Sequence, residues 1–188
     1  MALVALVLAL AAAYVASAEA APAGSIATKT QLCASCHGTH GLPSDQTVPI
    51  IWGQQATYLR KQLDDYRNGD RDSEIMSSIA ESLSEGEVSQ IAAYFSNARW
   101  PARPAASLPS APDAIAACQS CHGANLAGGL SASGAAPRLA GQFLPYLIDT
   151  MTAYAGGQRA NSPPMSALMQ SMSPADRKTV ADYLAAMR

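Results

Sequence analysis

The chain has 188 residues, 49% of them apolar, 14% charged and 6% aromatic, and a formal net charge of -2. With 12 Lys and Arg in all it lacks the basic face of a nucleic-acid binder, and 13 Gly with 12 Pro exclude a collagen-like or low-complexity chain. The length suits one domain or two. Two small domains would have thin cores, which such domains reinforce with a disulfide, a metal or a cofactor.

The first elements in chain order are a leader and a cysteine motif. MALVALVLALAAAYVA is uncharged and apolar, and it gives way to Ala18-Glu19-Ala20, an A-x-A pattern. We read residues 1–20 as a secretory signal cut after Ala20. An uncleaved anchor is the competing reading, with a length marginal for crossing a bilayer. Either way the body of the protein lies outside the cytoplasm. There, four cysteines would first suggest two disulfides, but their spacing says otherwise. They fall as Cys33-Ala-Ser-Cys36-His37 and Cys118-Gln-Ser-Cys121-His122, and C-x-x-C-H is the attachment signature of c-type haem. Residues three apart share a helix face, so two thiols can form thioethers with the vinyl groups of one porphyrin, and the adjoining His reaches the iron. A thioredoxin-like pair lacks its strand-rich context, and a shared zinc would leave the His after each pair unexplained.

The second motif belongs to a second copy of the first. PIIWGQQATYLRKQLDDYRNGDR begins at Pro49 and PRLAGQFLPYLIDTMTAYAGGQR at Pro137; Gly53/Gly141, Gln54/Gln142, Tyr58/Tyr146, Tyr66/Tyr154 and Arg71/Arg159 match at an offset of 88. An insertion falls in the Gly/Ala/Ser loop of 128–136, and from Met76/Met165 onward the offset is 89. The proline-rich NARWPARPAASLPSAP (Asn97–Pro112) reads as an extended, semi-stiff linker. The chain thus divides into domains 21–98 and 111–188, with 99–110 between them. Each copy reads as helical: a first helix ending near C-x-x-C-H, a second over about 54–68 and 142–154, and a last helix. Ser84-x-x-Glu87 opens that last helix as a capping box, and Ser173-Pro174 places Pro at its first position. Apolar residues then recur at i, i+3, i+4, i+7: Val88, Ile91, Ala92, Phe95, and Val180, Tyr183, Leu184, Met187. No strand pattern is seen, so the fold class is all-α, with helices wrapped round a haem in each half.

Each iron needs a second axial ligand. Met76 and His40 are candidates in the first half, and Met151, Met165, Met169, Met172 and Met187 in the second. Only Met76 and Met165 correspond as a pair of methionines, whereas Met172 aligns with Leu83, and Pro163-Pro164 stiffen the segment before Met165. His40 has Asn125 in its place in the second copy and reads as a surface or hydrogen-bonding residue. Pro49 and Pro137 offer carbonyls that could accept the proximal His N–H and orient its ring.

CASCHGTHG and CQSCHG, the paired P-x-x-x-G-Q…Y-L stretches and the G-x-R before each Met resemble the dihaem cytochrome c4 family over nearly the whole mature chain. The resemblance implies two tandem class I cytochrome c domains related by a pseudo-twofold axis in the periplasm, with two covalently bound haem c groups. It matches Cys33, Cys36, Cys118 and Cys121 to thioether anchors, and His37/Met76 and His122/Met165 to axial ligands. It implies a six-coordinate electron carrier and not an enzyme. Redox proteins would be its partners: a quinol-oxidising complex or dehydrogenase upstream and a terminal oxidase downstream, with no nucleic acid and room for peripheral membrane association. CHGTHG also looks like the dihaem subunit of flavocytochrome sulfide dehydrogenases, which keeps a fixed dehydrogenase subunit open as the alternative. Finally, residues 21–100 hold six basic and nine acidic side chains, and 101–188 six and four. That asymmetry reads either as ordinary surface or as a dipole steering an acidic half toward a basic partner.

Overall fold

The computed structural model describes residues 23–104, 107–132 and 134–188. The expected leader, 1–20, lies outside the described residues, as do 105 and 106 of the linker. Among the described residues, eight helices and one short ribbon follow in order: α1 (Ala23–His37), α2 (Ala56–Asn68), α3 (Glu74–Glu81), α4 (Glu85–Asn97), α5 (Ile115–His122), β1 (Gly129–Ser131), β2 (Gly134–Ala136), α6 (Leu144–Gly156), α7 (Pro163–Ser171) and α8 (Pro174–Ala186). Among the described residues no helix is long and apolar enough to cross a membrane.

Each half gathers its own core. In the first, α2 packs against α3 and α4, and α1 against α4. The α4 stripe Val88, Ile91, Ala92, Phe95 is fully buried, and Phe95 meets Trp52 edge-on at 5.4 Å. In the second half α6 packs against α7 and α8. There the buried stripe is Val180, Ala181 and Leu184. Tyr183 is only half-buried, and Met187, at the end of α8, caps it. The position of Val88 is taken by Arg177, whose guanidinium donates to the carbonyls of Met169 (2.9 Å) and Met172 (2.6 Å) and so closes the end of α7. Both last helices start as their sequences require. Ser84 and Glu87 form a full capping box, and Ser173 Oγ accepts from Asp176 N–H ahead of Pro174.

Two elements go beyond the helical periodicity. The segments before the last helices, for which the sequence predicts no helix, are themselves helical as α3 and α7. Ser73 caps α3 by accepting from Met76 N–H, and Pro163 and Pro164 occupy the first turn of α7, a position that costs proline nothing because those N–H groups have no helical partner. The Gly/Ala/Ser insertion of the second half folds into an antiparallel ribbon, with Gly129 opposite Ala136 and Ser131 opposite Gly134. It packs on α5 and reaches α2 of the first half.

The proline-rich segment carries no helix or strand where described, yet it is tied down. Trp100 lies under the Arg138 guanidinium at 4.7 Å. Arg103 stacks on Phe143 at 4.9 Å and donates to Gly141 O at 2.8 Å.

Candidate functional site

Both C-x-x-C-H motifs are the last residues of a helix, α1 and α5. Two thiols three residues apart therefore share a face, with the His next to the second. No disulfide joins the four cysteines. Burial pushes the Cys33 and Cys118 thiols up from the ordinary value. A redox-active C-x-x-C needs the opposite shift, so the thioredoxin-like reading fails on chemistry as well as context. Among the described residues, no three His, Cys, Asp or Glu side chains converge as a metal cluster.

The histidines are held in one tautomer. His37 Nδ1 lies 2.9 Å from Pro49 O and His122 Nδ1 lies 2.8 Å from Pro137 O. A carbonyl only accepts, so Nδ1 carries the proton and Nε2 keeps its lone pair. Burial pulls both imidazoles below the usual histidine value, with the carbonyl bond opposing. Both are therefore neutral at pH 7, the form that coordinates a metal. Met76 and Met165 are both half-buried, and each is the third residue of its helix, α3 and α7. Met151 and Met169 are buried in the second core. His40 is exposed and its Nδ1 is 3.1 Å from Thr39 Oγ1. Trp52 Nε1 and Ser166 Oγ are buried without a hydrogen-bond partner among the described residues, and haem carboxylates are acceptors of the kind such donors need. Thioether-competent thiols, a neutral imidazole and a thioether sulfur in each half make a donor set that fits haem c.

Between the halves lies a polar interface whose contacts exchange under the repeat. Gln142 bonds the backbone of Ile50, and Gln54 bonds the backbone of Arg138. Arg71 donates to Tyr146 Oη at 3.4 Å, and Arg159 to Tyr58 Oη at 3.2 Å. Arg71 stacks on Tyr66 and Arg159 on Tyr154. Because 54, 58, 66 and 71 correspond to 142, 146, 154 and 159, this is a pseudo-twofold axis. One part breaks the symmetry. Asp65, buried, accepts from Lys61 at 2.5 Å and from Asn161 at 2.6 Å, where the second half has Ala153. Burial opposes ionisation of Tyr146, but the Arg71 and Arg159 guanidiniums outweigh it and hold that phenol down to about 7. The repeat marks Gln54/Gln142, Tyr58/Tyr146, Tyr66/Tyr154 and Arg71/Arg159 as matches but assigns them no role. The available signal was polar identity kept at a fixed offset within an apolar stretch.

Two similar helical halves, each ending its first helix in C-x-x-C-H under an orienting carbonyl, define a tandem c-type cytochrome, and the comparisons agree. A cytochrome c family model matches residues 114–188. The thiosulfate dehydrogenase electron acceptor of Stutzerimonas stutzeri (strain A1501) is 32% identical over 170 residues, covering 81% of this chain and 77% of that protein. The cytochrome c4 of Thiocapsa roseopersicina is 34% identical over 146 residues, covering 70% and 73%. The solved structure of Acidithiobacillus ferrooxidans cytochrome c4 matches at a TM-score of 0.69 and 28% identity, covering 84% of this chain and 99% of that one. The chain belongs to the dihaem cytochrome c4 family. It binds haem c covalently and is an electron-transfer cytochrome.

Proposed function

We propose that the protein is a periplasmic dihaem carrier moving single electrons between respiratory partners, toward a terminal oxidase. In this reading residues 1–20 are the leader, and 21–98 and 111–188 are two domains. Cys33, Cys36, Cys118 and Cys121 carry the thioethers. His37 with Met76, and His122 with Met165, are the axial pairs that leave both irons six-coordinate. The haem supplies the one-electron ferric–ferrous chemistry. The chain's own contribution is orientation: burial keeps His37 and His122 neutral, and the Pro49 and Pro137 carbonyls fix their tautomer. The observation that supports equal roles for the two sites is their repetition. The same His-to-Pro-carbonyl bond occurs in both halves, at 2.9 and 2.8 Å, with the methionine at the same helical position in each.

The test is Met165→Ala. It is expected to remove about half of the near-infrared sulfur-to-ferric-iron band, and Met76→Ala the other half. An unchanged band after Met165→Ala would move the ligand to another residue and break the reading. One observation favours a second reading, an electron-accepting partner of a dehydrogenase: the Stutzerimonas stutzeri relative is named as the electron acceptor of thiosulfate dehydrogenase. Purification from the native periplasm separates the two. A co-eluting dehydrogenase supports the second, and a free dihaem protein reduced by a quinol-oxidising complex supports the first.

A further inference from the structure

The histidine-orienting carbonyls belong to peptide units that are themselves gripped from the opposite half. Pro49 C=O accepts from His37 Nδ1–H at 2.9 Å. The N–H of that same peptide unit belongs to Ile50, and it donates across the interface to Gln142 Oε1 at 3.0 Å. In the second half Pro137 C=O accepts from His122 Nδ1–H at 2.8 Å. The N–H of that unit belongs to Arg138, and it donates to Gln54 Oε1 at 2.7 Å. Each glutamine also returns a bond to the next carbonyl: Gln142 Nε2 to Ile50 O at 3.1 Å, and Gln54 Nε2 to Arg138 O at 3.0 Å. Gln54, Gln142 and Ile50 are 4%, 3% and 1% exposed, so water is kept from the Gln142–Ile50 pair, while the Gln54–Arg138 pair is part-buried.

A peptide unit is planar and conjugated. An acceptor placed on its N–H polarises it and makes its C=O a better acceptor, as in any hydrogen-bonded chain in a low-dielectric interior. A better acceptor on Nδ1–H raises the basicity of the imidazole as a metal ligand, which favours ferric over ferrous iron.

We propose that Gln54 and Gln142 are crossed positioning residues: through one peptide unit, each holds and polarises the proximal histidine of the other half, Gln142 acting on His37 and Gln54 on His122. The inference rests on the reading of His37 and His122 as iron ligands. Its signature is that the effect crosses over. A glutamine in the second half sets the reduction potential of the first haem, and the reverse.

The experiment is a redox titration of the purified holoprotein followed by proton NMR. The haem signals are assigned to each half through their Overhauser contacts with residues of that half. Gln142→Leu keeps the bulk and removes both bonds. It is expected to raise the reduced-to-oxidised ratio of the first haem at least threefold at fixed applied potential, about 28 mV at 59 mV per tenfold for one electron, and to leave the second haem within error. Gln54→Leu is expected to do the reverse. Gln142→Glu keeps an acceptor for Ile50 N–H and is expected to return the first haem to the wild-type ratio or below it. Should Gln142→Leu not fold, Gln142→Asn, polar but too short for both bonds, is expected to move the first haem in the same direction. A shift on the haem of the mutated half, equal shifts on both, or no shift in a folded variant would each overturn the proposal. Absence of histidine ligation in the wild-type spectra would instead overturn the underlying ligand assignment.

Discussion

The loops that carry Pro49 and Pro137 turn at Gly53 and Gly141, and these two glycines should respond differently to one added methyl group. Both have positive φ, +70° and +78°, which costs an L-residue about 1–2 kcal/mol. Both also donate to their last helix, Gly53 N–H to Phe95 O at 2.8 Å and Gly141 N–H to Leu184 O at 2.9 Å, so the backbone cannot swing away freely. The surroundings differ. A Cβ on Gly53 would sit 2.6 Å from Trp100 N and 3.0 Å from Trp100 Cα, all backbone. One on Gly141 would sit 3.1 Å from Trp100 Nε1 and 3.2 Å from Met187 O, where an indole and a chain end can give a few tenths of an ångström. Overpacking against immovable atoms adds about 1–3 kcal/mol. Gly53→Ala should therefore lose about 2–5 kcal/mol and Gly141→Ala about 1–2 kcal/mol. Denaturant unfolding of the holoproteins, compared through their midpoints at common slope, measures both. Equal losses, or a larger loss at Gly141, would refute the packing argument and with it the account of why the linker backbone runs over the first loop.

Three further outcomes follow from the same geometry. Intact-mass spectrometry of denatured protein should show two haem additions; one addition, or a Cys33–Cys36 disulfide, contradicts the paired attachment. With its pKa held down to about 7 against an ordinary value near 10, Tyr146 stabilises the fold fully above about pH 10 and loses that contribution as pH falls toward 7. The stability difference between wild type and Tyr146→Phe should therefore grow from pH 7 to 10, and a flat difference in denaturant unfolding would show that the phenol stays protonated. Charge steering, if present, runs through the carboxylates left facing solvent. Asp64 and Asp65 are engaged by Arg67 and Lys61, whereas Asp70, Asp72, Glu74 and Glu81 are exposed, and the second copy has the uncharged Gln158, Ala160, Pro163 and Gln170 at the corresponding positions. Neutralising those four should flatten the fall of association rate with a basic redox partner as salt rises, and Lys178→Gln should not. Stopped-flow kinetics at several ionic strengths would expose the opposite result.

Local rules made much of this legible. The α4 stripe, both serine caps, the helical placement of C-x-x-C-H and the use of the Pro49 and Pro137 carbonyls can all be read from spacing, because each depends on residues near in sequence. The second-half stripe is less regular because Arg177 replaces an apolar residue and spends its guanidinium on carbonyls, which periodicity does not register. α3 and α7 are eight and nine residues long, too short for a clear period, and the double proline before Met165 reads equally as a loop or as a first turn. The ribbon at 129–136 has almost no side-chain pattern to read. The roles of Gln54, Gln142, Tyr58 and Arg159 stay hidden for a different reason: a repeat reveals that a residue recurs, but not whether its partner lies in its own copy or the other.

That exchange of partners is what a symmetric homodimer displays. In an isologous contact, residue i of one subunit meets j of the other while j meets i, and 54 with 138 against 142 with 50 has this form. A single half of this chain, made as a separate polypeptide, would already carry both sides of the contact. Fusion through the segment around Trp100 and Arg103 makes the second copy's arrival intramolecular, so the contact no longer depends on protein concentration. Once joined, the copies no longer had to be identical. Asp65 facing Asn161, with Ala153 in the mirrored place, is a pairing that a homodimer could not hold on one side only, and it makes the two sides of the interface chemically distinct.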